Sequence, residues 1–122
     1  MAAEVPKMSS QQTRGKREMP IAEVVRLIDL VNYQEGSVVS RTLVNLATGT
    51  VTLFAFDEGQ GLSEHTAAFD AVAHLLEGAA EITVSGKPLR ATAGAAVLMP
   101  ENQPHSLKAL SRFKMLLTMI RS

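Results

Sequence analysis

Three histidines, His65, His74 and His105, are the side chains of this chain best suited to chemistry at neutral pH. A neutral imidazole can hold a metal ion, pass a proton or accept a hydrogen bond. His65 and His105 lie forty residues apart, each closing a turn rich in Gly or Pro: Gly59-Gln60-Gly61 before the first, Pro100 to Pro104 before the second. Such turns hold a side chain at the end of a rigid element, where a ligand is useful. Glu64 and Asp70 are the nearest carboxylates for acid or base work or for completing a metal site. Arg41 alternates with Val39 and Leu43 and is a candidate inward-pointing anchor for an anionic substrate, the alternative being a surface position. Cysteine is absent, which removes thiolate catalysis, disulfides and Cys-based zinc sites. Ser106 has no Ser-His-acid order around it, and neither a phosphate loop nor a dinucleotide fingerprint is present.

These residues must be positioned by strands. From Gly36 onward the chain reads as many short strands about ten residues apart, with glycine at the turns. Ser37 to Asn45, Val51 to Phe56, Ala71 to Leu76, Glu81 to Val84, Ala95 to Met99 and Phe113 to Ile120 are the expected strands, and Ser85-Gly86-Lys87 is a hairpin turn. Such spacing indicates an all-β sandwich or barrel, and a closed barrel or jelly roll also solves the exposed-edge problem. Val51 to Phe56 and Phe113 to Ile120 are apolar on both faces, more than one barrel interior requires, which suggests a subunit interface. The stretch from Pro20 to Val31 is ambiguous: Ile21, Val24, Val25, Ile28 and Val31 fit a helical period, while Val25, Leu27 and Val31 fit a strand. Residues 1–19 read as a flexible polar tail and residues 20–122 as one domain.

The stretch from Gly59 to His105 resembles the cupin family. The first motif of that family reads Gly, five residues, His-x-His, three or four residues, Glu, six residues, Gly; Gly59, His65 and Gly78 match it. The second reads Gly, five residues, Pro-x-Gly, two residues, His, three residues, Asn; Gly94, Pro100 and His105 match it. The chain departs from the pattern at Ala67 for the second His, Ala71 for the Glu, Asn102 for the Gly and Ala109 for the Asn.

The resemblance implies a cupin jelly-roll barrel, also called a double-stranded β-helix, spanning about Val24 to Ile120. It implies a strand near Val24 to Leu30, which can be swapped onto a partner, and a homodimer. It places His65 and His105 together in the barrel mouth on neighbouring strands, where they would hold one divalent transition metal ion. Glu64, Asp70, His74 and Arg41 are the possible additional site residues. Asp70 stands one residue before the expected Glu, and in a regular strand that shift turns a side chain to the other face. Counting by twos from Ala71 turns His74 outward. The function implied is binding of a small organic molecule in the mouth, with or without metal-dependent catalysis of dioxygenase, isomerase or decarboxylase type. The alternative is a non-catalytic binding or sensing module with a degenerate metal site.

Twelve basic residues balance twelve acidic ones, so nothing points to nucleic acid or an anionic membrane as partner. No apolar run approaches the roughly 20 residues of a membrane span, and Met1 to Arg17 lacks the apolar core of a secretory signal. A cytoplasmic location is the expectation.

Overall fold

The computed structural model describes residues 16–121, which form ten strands and one short 3-10 turn. The strands are β1 (Lys16–Arg17), β2 (Val38–Leu46), β3 (Gly49–Phe56), β4 (Gly61–His65), β5 (Asp70–Glu77), β6 (Ala79–Val84), β7 (Lys87–Thr92), β8 (Ala96–Met99), β9 (His105–Ala109) and β10 (Phe113–Ile120). A six-stranded sheet in the order β1-β2-β3-β10-β5-β8 faces a four-stranded sheet in the order β4-β9-β6-β7, and every pairing is antiparallel. This is the all-β jelly roll that the strand spacing predicts.

The core lies between the sheets. Alternation along each strand sends Phe54 and Phe56 of β3, Ala71, Ala73 and Leu75 of β5, and Phe113, Met115 and Leu117 of β10 inward. They meet Ala80 and Ile82 of β6, Ala91 of β7 and Leu107 and Ala109 of β9. Phe56 and Phe113 stack with ring centroids 4.4 Å apart, an offset-stacking distance that adds to the gain from burying both rings.

The outer face of the large sheet is also apolar, and the chain itself covers the part built by β2, β3 and the start of β10. Leu53 and Ala55 of β3 and Leu43 of β2 are buried there against Val31, with Met19, Leu27, Leu30 and Tyr33 packed around them. The segment from Met19 to Tyr33 is therefore a strap across the sheet. The second apolar face of β3 and of the first half of β10, read from sequence as a subunit interface, is met within one chain, while Ile120 of β10 and Leu98 of β8 stay exposed on the same face.

Neither a helix nor a strand forms between Val24 and Leu30. The structure has a 3-10 turn at Leu27–Asp29, and side chains of the barrel hold its backbone in place of a neighbouring strand. Lys114 Nζ donates to the Ile28 carbonyl at 2.6 Å and Arg41 Nη1 to the Leu30 carbonyl at 3.1 Å. Tyr33 donates its hydroxyl to Glu77 Oε2 at 2.6 Å, and the Lys114 ammonium lies 5.0 Å from its ring centroid. Burial first, then the bond to Glu77, raises the Tyr33 pKa, so the phenol stays a donor. Of the tail assigned to residues 1–19, residues 1–15 lie outside the described residues. Lys16 and Arg17 pair with Asn45 and Val44 of β2, and Met19 begins the strap, packed against the outer cluster.

Two turns fix the register of the small sheet. Ser85 and Gly86, both at positive φ, make the two-residue hairpin from β6 to β7. Gly78, at φ 82°, turns β5 into β6 so close to β10 that a Cβ would run into the Arg112 carbonyl and Phe113. Gly86 has the same φ but open space around it. Gly78→Ala is therefore expected to lower stability by clearly more than the roughly 1 kcal/mol of backbone strain alone, and Gly86→Ala by about that strain. Urea unfolding of both variants, compared by midpoint at constant m-value, checks the difference.

Candidate functional site

His65 ends β4 and His105 begins β9, and the two are cross-strand partners. Their ring centroids lie 4.4 Å apart with planes at 69°, edge to face. A bulge produces this meeting. Leu62 pairs with Leu107 but His65 pairs with His105, so β4 spends three residues where β9 spends two. Leu62 packs on the inner core, and strict alternation from it would send Glu64 inward and His65 outward. The extra residue returns His65 to the face of His105, as bulges beside functional sites commonly do. Gly61 permits the approach, because a Cβ there would meet the Leu107 carbonyl.

Each imidazole is fixed by a backbone carbonyl two residues earlier. His65 Nδ1 lies 2.7 Å from the Ser63 carbonyl oxygen and His105 Nδ1 lies 3.1 Å from that of Gln103. A carbonyl only accepts, so Nδ1 carries the proton in both rings. In the neutral ring Nε2 is then the atom with a free lone pair, the one that binds a metal or accepts a ligand proton. His105 is buried while His65 is exposed. Burial pushes the His105 pKa below the ordinary histidine value, the bond to Gln103 opposes this, and the nearby His65 adds to it.

Two loops rim the pair. The turn after β8 is tied to the β4–β5 connection by Asn102 N–H to the Ala67 carbonyl at 2.7 Å and by Glu101 N–H to Asp70 Oδ1 at 2.9 Å. Asn102 sits at φ 62°. The left-handed conformation explains why the family motif has Gly there and why Asn, which tolerates that region, can replace it. Ser85 Oγ bonds Gln103 Oε1 at 2.5 Å and so steadies the residue whose carbonyl orients His105.

The other sequence candidates do not join the pair. Glu64 is exposed at the bulge. Asp70 is exposed and accepts from the Glu101 amide, while its neighbour Ala71 points into the core. His74 pairs with Leu116 of β10 and Ala96 of β8 on the outer face, between the inward Ala73 and Leu75. Arg41 pairs with Leu53, which packs on the outer face, so it lies across the sheet from the barrel interior. Among the described residues no group of three or more His, Asp or Glu side chains is placed to hold a metal. Sequence reasoning missed Ser63 and Gln103, whose carbonyls set both tautomers; backbone acceptors leave no mark on residue type.

The family model for the cupin domain matches residues 52–120, and the chain belongs to the cupin family. Among solved structures it is similar to a conserved protein of unknown function from Streptococcus pyogenes: 33% identity, TM-score 0.83, covering 87% of this chain and 93% of that one. A cupin superfamily protein from Desulfitobacterium hafniense is similar at 26% identity and TM-score 0.81, over 89% of this chain and 99% of the other. A cupin 2 conserved barrel domain protein from Leptotrichia buccalis is 35% identical with TM-score 0.75, over 77% of this chain and 46% of that one. No curated protein matches the chain.

The lowered His105 pKa has a consequence for stability. Below the unfolded value of about 6.5, the unfolded chain takes up a proton that the folded His105 still refuses. Stability contributed by the neutral ring is therefore full above that value and falls as pH drops towards the folded pKa. His105→Asn, which keeps a donor for the Gln103 carbonyl, is expected to flatten this part of the curve. Chemical denaturation of both proteins across pH 5 to 7.5 measures it.

Proposed function

We propose that this cupin binds a small oxygen-bearing organic molecule in the barrel mouth, with His65 and His105 as the recognising groups and without a resident metal. One observation carries the reading: both rings commit Nδ1 to a backbone carbonyl, which leaves both Nε2 atoms for a ligand. Burial keeps His105 neutral at physiological pH, so its Nε2 accepts. A hydroxyl or an un-ionised acid suits it better than a carboxylate does. The interior next to His105 along β9 begins with Leu107 of the apolar core, which suits a ligand with a carbon skeleton.

The donor set does not fit a self-sufficient metal centre. A catalytic zinc-type site uses about three protein ligands, and this chain offers two imidazoles with no third ligand placed among the described residues. A second reading is favoured by the closeness of the two rings: one divalent transition ion on His65 and His105, completed by water or by the organic ligand, in an enzyme of dioxygenase, isomerase or decarboxylase type. Glu64 and Asp70 would need a loop rearrangement to serve it. Homodimeric assembly and a cytoplasmic location are proposed as well. The first rests on family likeness and on the exposed outer-face residues Leu98 and Ile120 that the strap does not reach; the second rests on the Cys-free composition. No helix among the described residues is long and apolar enough to cross a membrane.

Elemental analysis of untagged protein separates the two readings. Binding without a resident metal predicts substoichiometric metal, together with ligand-observed NMR signals from a set of small hydroxy acids and phenols that vanish in His65→Ala and His105→Ala. One metal per chain, lost in both variants, establishes the second reading instead. Unchanged ligand binding in both folded variants places the site elsewhere. Light scattering at twice 13.1 kDa supports the dimer, and the mass of one chain rejects it.

A further inference from the structure

We propose a second ligand site on the opposite side of the large sheet, a groove that takes a small organic carboxylate with an apolar body and anchors it on Arg41. The groove lies between residues 30–34 of the strap and Val39–Arg41 of β2, with a volume of about 520 Å³. That is within the roughly 300–1,000 Å³ of small-molecule sites. Leu30, Val31 and Val39 supply apolar wall, all three belonging to the outer cluster.

Arg41 is the uncommitted charge of this groove. Among the described residues the ion pairs join Arg26 to Asp29, Arg112 to Asp57 and Lys114 to Glu77, and none involves Arg41. Of the nearby groups, the Tyr33 hydroxyl is given to Glu77 and Lys114 is held by the Ile28 carbonyl, while Asn32, Gln34 and Ser40 add neutral polar lining. Arg41 itself is pinned through one nitrogen, Nη1, to the Leu30 carbonyl at 3.1 Å. Pinning one corner of the planar guanidinium lowers the entropy cost of binding and leaves the Nε–Nη2 edge with its two parallel N–H groups. A carboxylate matches that edge bidentately. Among the described residues, β1 and Glu18 bond the adjoining edge of β2 only at residues 43–45, which leaves its stretch beside Arg41 without a strand partner on that side. Backbone N–H groups on an open edge add donors for the same anion.

This site is independent of the histidine pair, because Arg41 shares the outer face with Leu53 while His105 opens into the barrel interior. The test is titration of the ¹⁵N-labelled protein with hexanoate and phenylacetate, and with hexanol as the uncharged counterpart. Both carboxylates should shift amides of residues 30–34 and 39–41, and hexanol should bind more weakly. Arg41→Gln should weaken the carboxylates at least about tenfold, the ratio expected for losing charge-assisted hydrogen bonds. Arg41→Lys, which keeps charge but not the fork, should fall between. Asn32→Trp narrows the groove from an exposed rim position and should weaken all probes, which keeps the test decisive if Arg41→Gln does not fold. A His65→Ala, His105→Ala double variant should bind the carboxylates unchanged. Failure of both carboxylates to bind, shifts centred on His65 and His105, or undiminished binding by Arg41→Lys and Asn32→Trp would overturn the proposal.

Discussion

Strand β10 runs between β3 and β5 for its whole length, and both of its faces are used. Phe113, Met115 and Leu117 face inward and build the core against the small sheet, while Lys114 and Leu116 face outward and receive the strap. A strand buried on both faces cannot slip by one residue, because the slip would exchange its two sets of side chains. That constraint fixes β5 beside it, and Gly78 passes the register on to β6 by crossing directly over the start of β10. β6 then sets β9, and β9 sets where His105 emerges. The geometry of the site is thus inherited from a packing requirement on the far side of the barrel.

Lys114 shows what the outer face demands. It is a cation with little exposure in the middle of a sheet, a placement tolerated only when its charge is well partnered. The Ile28 carbonyl, the Tyr33 ring and, at 3.9 Å, Glu77 provide that environment. Two of the three lie on the strap. The strap is therefore needed both to cover Leu53 and Ala55 and to solvate Lys114, and this dual role explains why a segment with one short 3-10 turn can be held so closely.

The fold was legible because it rests on turn chemistry. Gly59, Gly78 and Gly94 stand at positive φ, where residue type and conformation are tightly linked, and their spacing to His65 and His105 carries the family pattern. The long strands β3, β5 and β10 were legible from composition. So were the shorter β6 and β8, but β4, β7 and β9 were not: Pro88 hides β7, which tolerates it as an edge strand paired only with β6. The strap was misread because its apolar residues pack against a sheet face through an irregular path, so neither a helical nor a strand period describes it. The meeting of His65 with His105 follows from the family pattern, but its cause, the bulge at Ser63 and Glu64, is invisible in residue types that would suit a regular strand equally well. The outward turn of His74 was legible by counting from the family position at Ala71, whereas Arg41 has no such anchor, and alternation alone does not say which face of its strand is interior.

The two alanines at family ligand positions change the chemistry in a connected way. Ala71 is buried in the core cluster, so a glutamate there would have pointed into the interior beneath the mouth. A carboxylate in that place would hold a proton on a nearby imidazole by its charge, and would give a metal its third ligand. Alanine removes both effects at once. With no carboxylate to oppose it, burial governs His105 and keeps the ring neutral. At Ala67 only the backbone is used, its carbonyl accepting from Asn102 to close the rim. The rim thus keeps its shape through main-chain bonds that any residue could make, while the inner wall has lost its charge. What the pair retains is two imidazoles whose Nδ1 atoms are tied to backbone carbonyls, and on the function proposed above such a site would select ligands by hydroxyl placement rather than by charge.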